Sequence, residues 1–421
     1  MSCAAVARLL FQLPGPQRFL ARTAEDLGQG RSILMLLPDG VDAGDLWRGM
    51  GDELWRRDCD VHEVWLPGIP VDHLPAAALG KALGVRWPSP AAPRTAANLA
   101  AAGSLPDVIS LGGFADMPTR TRVRWLEFVS QWAQVSKNVS DRGGRPTALC
   151  LICPGGTLPA PVPGESLHLS VRYWWKTPSA LETRLLCRLA EDARENAPGA
   201  GWREYILPSL AGSDFLLVEE LWDDIYGGID HLEACLLKIA QRRGWTAEML
   251  ESLDAASWRG PCPAAPDPGQ LLPWARGFLS STPEYGVELH SAAMALLGRT
   301  KEVEHRLWRA QAPLLLPLLD SLRLGLCRHL TRHYGPGWPL AWQAPASGWE
   351  EAELRESPLT CQWGHLECLV KDCPALRAER RWLQLIGLAR FIRNNLAHYR
   401  AVDFNSYAAL SREVEKAGET I

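Results

Sequence analysis

Short, unbroken apolar runs alternate with amphipathic stretches over the first third of the chain, and amphipathic stretches alone dominate the rest. Ser32 to Leu37 (SILMLL) is fully apolar after its first residue and stops at Pro38-Asp39-Gly40, as a buried parallel strand does on leaving its sheet. From Gly44 to Arg57, Leu46, Trp47, Met50, Leu54 and Trp55 fall at helical spacing. Val61 to Leu66 alternates, Asp107 to Leu111 is a further strand, and Arg120 to Val135 places Val123, Leu126, Val129 and Ala133 on one helical face. Ala148 to Ile152 is a strand ending in Cys153-Pro154-Gly155-Gly156. The order predicts a three-layer α/β domain with a parallel sheet over residues 1–176.

A Pro/Gly-rich linker, Pro154 to Gly164, precedes a β-like stretch from His168 to Trp175, and the pattern then turns helical. Ser179-Ala180-Leu181-Glu182 has the form of a capping box, and helices are expected over Arg184–Glu195, Phe215–Tyr226 and Leu232–Arg243. These make an all-α middle region, residues 177–260. Four prolines between Gly260 and Gly269 separate it from an all-α C-terminal domain, residues 270–421. There a long helix from Glu302 to Tyr334 carries Leu307, Ala310, Leu314, Leu318, Leu322 and Leu326 on one stripe, with Pro313 and Pro317 as points for a kink. Trp363 to Leu369 follows, and then Trp382 to Arg400, whose apolar face of Trp382, Leu385, Ile386, Ala389 and Ile392 leads into Arg393-Asn394-Asn395-Leu396-Ala397-His398-Tyr399.

Composition narrows the function. The chain has 421 residues, enough for two or three domains, and its formal net charge of -4 supplies no global attraction to nucleic acid. Any RNA contact must come from a local site. The 11 cysteines are scattered, several inside apolar runs, which suits reduced core thiols and a cytoplasmic protein better than a disulfide framework. The N-terminus lacks a signal-peptide pattern, and no apolar run approaches the roughly 18 residues of a membrane span.

The string from Arg393 to His398, with polar Asn394 directly after the arginine, resembles the arginine, four to six residues, histidine motif of the HEPN superfamily. That resemblance implies catalytic Arg393 and His398, a supporting Asn394, RNA as the partner, and a homodimer that brings two motifs to one cleft. It departs from the toxin subgroup with tyrosine two residues after the histidine, because Arg400 stands there. The chemistry needs no cofactor and no metal. RNA carries its own nucleophile in the 2′-hydroxyl, so a histidine to exchange a proton near neutral pH and an arginine to hold the phosphate suffice. Residues five apart on an ideal helix point about 140° from each other, so a break near Asn394-Asn395 or a partner chain must complete the site. The implied function is a metal-independent endoribonuclease effector of bacterial antiviral defence or of a toxin-like system. The alternative is a non-catalytic assembly or RNA-binding subunit of a defence complex.

Three further features of the sequence bear on chemistry. Cys361, His365, Cys368 and Cys373 lie close together but lack standard zinc spacing, and Cys150-Leu151-Ile152-Cys153 ends an apolar strand, where a core role is favoured. The Pro38-Asp39-Gly40 turn stands where a phosphate loop would stand, yet it has no Gly-Lys-Ser/Thr ending, and Asp39, Asp42 and Asp45 would repel a triphosphate. The N-terminal domain therefore resembles a degenerate P-loop NTPase with no nucleotide site; a Rossmann-like sensing domain or a docking module using Trp47, Trp55, Trp125 and Trp132 are the alternatives.

Overall fold

A computed structural model describes residues 9–70, 72–87, 89, 91–102, 105–158, 162–192, 199–251, 253, 262–340 and 348–417. Helix α1 (Pro14–Gly28) leads into β1 (Ser32–Leu37), α2 (Ala43–Trp55), β2 (Val61–Trp65), α3 (Pro75–Ala82), α4 (Ala96–Ala100), β3 (Val108–Gly112), α5 (Thr119–Asp141), β4 (Ala148–Pro154) and β5 (Leu169–Tyr173). The five strands form one parallel sheet in the order β2-β3-β4-β1-β5. Apolar runs mark its centre: every residue of β1 is buried, as are Ala148 to Cys153 of β4, because each strand has neighbours on both sides and helices on both faces. At the β2 edge, His62, Glu63 and Trp65 are exposed and Val64 is buried. The chain steps from β1 to β2 in one direction and returns through β3 to β4. Right-handed crossovers therefore put α2, which packs on α1, on one face and the mutually packed α3, α4 and α5 on the other.

Beyond the sheet lie α6 (Ala180–Asp192), α7 (Ala200–Ala211), α8 (Phe215–Glu220), α9 (Ile229–Arg242), α10 (Ala247–Glu251), α11 (Pro268–Ala275), an antiparallel hairpin of β6 (Leu279–Thr282) and β7 (Gly286–Leu289), and then α12 (Ser291–Leu296), α13 (Thr300–Tyr334), α14 (Gly348–Glu356), α15 (Trp363–Asp372), α16 (Leu383–Ala397) and α17 (Phe404–Ala417). The capping box forms: Glu182 accepts from the Ser179 N–H at 2.9 Å, and Ser179 Oγ accepts from the Glu182 N–H at 3.2 Å. The helix expected to reach Tyr226 stops at Glu220, because Asp223-Asp224 and Gly227-Gly228 favour turns over continued helix. Residues 193–195, the expected end of the helix begun at Arg184, lie outside the described residues.

Packing groups the chain into two units: Met1–Leu186 with Ala211–Glu219 and Glu248–His290, and Cys187–Leu210 with Glu220–Ala247 and Ser291–Ile421. The stretch from 270 is thus not all-α at its start, since the hairpin at Leu279–Leu289 sits there and belongs to the sheet-bearing unit. Within that unit, Trp175 meets Trp274 edge to face at 5.7 Å and donates from Nε1 to the Pro263 carbonyl at 2.9 Å. Ser280, Ser281 and Thr282 of β6 are buried and bonded: Ser280 Oγ accepts from the Ser213 N–H at 2.9 Å, and Ser281 Oγ from the Lys176 N–H at 3.1 Å.

In the other unit α13 is one continuous 35-residue helix that contains Pro313 and Pro317. Its buried stripe passes through Leu315 and Leu319, one position beyond the expected Leu314 and Leu318, which are half-buried. Helix α16 packs against α13, α15 and α17. No helix among the described residues is long and apolar enough to cross a membrane.

Candidate functional site

Helix α16 runs unbroken from Leu383 to Ala397, so there is no break at Asn394-Asn395 to turn Arg393 and His398 toward each other. Leu385, Ile386, Ala389, Ile392 and Leu396 bury one face, and this apolar repeat is why the segment is helical to its end. His398 is the C-cap: its N–H is shared between the Asn394 carbonyl at 3.2 Å and the Asn395 carbonyl at 3.0 Å. Tyr399 then takes a left-handed φ of 58° and reverses the chain. Arg393, Asn394 and His398 are all exposed, and Arg393 Nη1 donates to Asn394 Oδ1 at 3.3 Å. By helical spacing, Phe391, Asn394 and His398 follow one stripe and Arg390, Arg393 and Ala397 another. Phe391, two turns before His398 on that stripe, is 53% exposed.

The turn that presents His398 is tied to α13. Trp308 Nε1 donates to the Leu396 carbonyl at 2.7 Å, and its ring lies 4.8 Å from that of Tyr399. Gln311, fully buried, donates from Nε2 to the Val402 carbonyl and accepts from the Val402 N–H, both at 2.8 Å. His305 stacks at 5.2 Å on the same Trp308. Sequence reading missed these three. Gln311 was the detectable one, as a polar residue on the buried stripe of a long helix.

A second polar group sits deeper in this unit. Glu379 Oε1 accepts from the Tyr334 hydroxyl at 3.0 Å, Oε2 accepts from Trp382 Nε1 at 2.9 Å, and His329 Nε2 lies 3.3 Å from Oε2. Burial alone would raise the Glu379 carboxyl, but the bonds from Tyr334, His329 and Trp382 outweigh it and hold the group below its ordinary value. His329 in turn stacks on His333 at 4.2 Å.

The cysteine candidates do not converge on a metal. Cys361 and Cys373 are buried, Cys368 is exposed, and His365 Nε2 is engaged at 3.2 Å by the Pro339 carbonyl. Burial pushes the Cys150 thiol up to about 12 and raises Cys153 as well, so this pair is inert core. Among the described residues, metal-binding donors come together elsewhere, at Asp224, His231 and Cys235.

The phosphate-loop position is filled by the protein itself. β1 and β4 are neighbours in the sheet, and the carboxyl ends of such adjacent parallel strands are where ligands commonly bind in open α/β sheets. There the Asp39 N–H donates to the Ala275 carbonyl at 2.8 Å, and Asp39 Oδ1 accepts from the Gly156 N–H at 2.9 Å. A Cβ on Gly155 would lie 1.6 Å from the Ala275 oxygen. Asp42 caps α2 by accepting from the Asp45 N–H at 2.6 Å, and Asp45 pairs with Arg48 at 2.6 Å. The tryptophans divide: Trp125 and Trp132 are core, Trp47 is half-buried, and Trp55 is 80% exposed.

No family model matches this sequence, and no curated protein matches it. Two structures of variants of Thermotoga maritima RuvB are similar over 71% of this chain and 95% of theirs, at 12% and 11% identity and TM-scores of 0.30 and 0.31. That likeness is too slight to say anything of this chain's function.

Proposed function

We propose that the chain is a metal-independent endoribonuclease of the HEPN type, an effector of antiviral defence or of a toxin-like system, acting as a homodimer through Arg393 and His398. The observation that carries the reading is the placement of Arg393, Asn394 and His398 in solvent at the end of one helix, on a turn fixed by Trp308 and Gln311. Trp308 anchors the motif's own backbone at Leu396, and Gln311 anchors the chain just after it at Val402. With Arg393 on a phosphate oxygen, His398 exchanges a proton at the 2′-oxygen or the leaving 5′-oxygen. The 2′-oxygen attacks phosphorus, the bond to the 5′-oxygen breaks, and a 2′,3′-cyclic phosphate remains. Because the unbroken helix separates the two side chains by about 140°, the arginine and histidine of one active centre come from different copies.

The test is incubation of the purified chain with end-labelled RNA in EDTA. Cleavage with cyclic-phosphate ends, absent at a 2′-deoxy linkage, is expected. The same separation of Arg393 and His398 favours a second reading, a non-catalytic RNA-binding or assembly subunit of a defence complex. That reading is adopted if the chain stays inert on RNA while it forms a stable protein complex.

A further inference from the structure

We propose that Asp224, His231 and Cys235 form a binding site for a divalent cation of the zinc class, independent of the Arg393 and His398 motif. His231 and Cys235 are four residues apart on α9, hence one turn apart on a single face. Asp224 comes from the turn ahead of that helix, so chain reversal at Gly227-Gly228 folds the carboxylate back over it. Cys235 Sγ lies 3.6 Å from His231 Nε2, and His231 Nε2 lies 3.8 Å from Asp224 Oδ1. All three donor atoms are within 4.8 Å of one another.

The sulfur-to-nitrogen spacing suits a thiol hydrogen bond and, once the proton is gone, an edge of a metal's coordination shell. Bonds of about 2.0–2.3 Å from a tetrahedral zinc ion to oxygen, nitrogen and sulfur set the donor-to-donor edges at roughly 3.3–3.6 Å. The sulfur-to-nitrogen edge already has that length, the nitrogen-to-oxygen edge of 3.8 Å closes by about half an ångström, and the sulfur-to-oxygen distance, within 4.8 Å, closes with it as the half-exposed Asp224 side chain swings in. The backbone is shaped around the histidine: a Cβ on Gly227 would lie 2.3 Å from the His231 ring, so only glycine lets the ring rest there. A thiolate and an imidazole with one carboxylate select a borderline-soft ion over calcium or magnesium. Three protein ligands leave a fourth position, and it faces a hollow of about 590 Å³ lined also by Lys238 and Arg242. Water or an anionic ligand completes the shell there.

The experiment is titration of the metal-free full-length chain with Zn(II) by calorimetry and with Co(II) by absorption. One equivalent should bind, with tetrahedral cobalt bands and a thiolate-to-cobalt charge-transfer band. Cys235→Ser should abolish the charge-transfer band and weaken zinc by at least about a hundredfold, and Asp224→Asn, at a half-exposed position where the fold tolerates it, by about tenfold or more. Cys368→Ser, at an exposed thiol outside the trio, should change neither. Far-UV circular dichroism verifies that each variant is folded. Zinc binding weaker than about 100 µM, absence of the charge-transfer band, or a Cys235→Ser protein that binds like the parent would overturn the proposal. His398→Ala should bind zinc as the parent does, so failure of the ribonuclease reading leaves this result standing.

Discussion

Gln311 and Val402 exchange two hydrogen bonds of 2.8 Å in the interior, one in each direction, and so fix the chain just after His398 to the middle of the long helix α13. Replacing Gln311 with alanine strands both backbone groups of Val402 without water. Each buried group left unpaired costs about 1–3 kcal/mol, so Gln311→Ala should lose roughly 2–4 kcal/mol in urea denaturation. A loss below about 1 kcal/mol would mean that the turn is not held by this pair.

Glu379 makes stability depend on pH. Its carboxyl is held below its ordinary value in the folded chain, so the unfolded chain binds the proton more readily. The stabilisation is therefore complete above the ordinary carboxyl range and is lost as pH falls through the lowered value. Glu379→Gln should be less stable than the parent at pH 7, and the gap should close with acidification below about pH 4. A gap that is constant with pH would contradict the assignment.

The crevice at β1 and β4 yields a paired expectation. Gly155→Ala drives a methyl group into the Ala275 carbonyl and should destabilise the chain by about 3 kcal/mol or more, read as a drop in melting temperature. The parent should show no magnesium-dependent ATP binding in calorimetry, because its own backbone fills the position and no loop lysine is present. A micromolar dissociation constant would refute this.

The strands and the α16 motif were legible because they rest on local patterns. SILMLL and ALCLIC are apolar without interruption, and the lead-in to Arg393 repeats at 3.6 residues. The strand order β2-β3-β4-β1-β5 was not, since long-range pairing leaves no local mark. The hairpin escaped because Leu279-Ser280-Ser281-Thr282 is buried through hydrogen bonds rather than apolar alternation. On α13 the expected Leu307, Ala310, Leu322 and Leu326 are buried, and only the middle of the stripe is displaced by one position, because Leu314, Leu315, Leu316, Leu318 and Leu319 offer several apolar registers there. Asp224, His231 and Cys235 went unseen because a turn, not a motif spacing, brings the aspartate to the helix.

Sharing of the active centre between copies can be read by mixing. Arg393→Ala and His398→Ala homodimers should each be nearly inactive. Mixed dimers retain one intact centre of two, so after subunit exchange a one-to-one mixture should recover roughly a quarter of parent activity. No recovery in a mixture shown to exchange subunits would place both side chains of a centre on one copy.

The most direct measurement is the cleavage rate of His398→Ala against the parent on one RNA, in chelator. The ring of His398 makes no hydrogen bond among the described residues and is exposed, so the substitution should leave folding and dimerisation nearly unchanged. Loss of a proton-transfer group should lower the rate by at least about a hundredfold, with Arg393→Ala impaired as well but through weaker RNA binding. A His398→Ala protein that cuts RNA as fast as the parent would contradict the account.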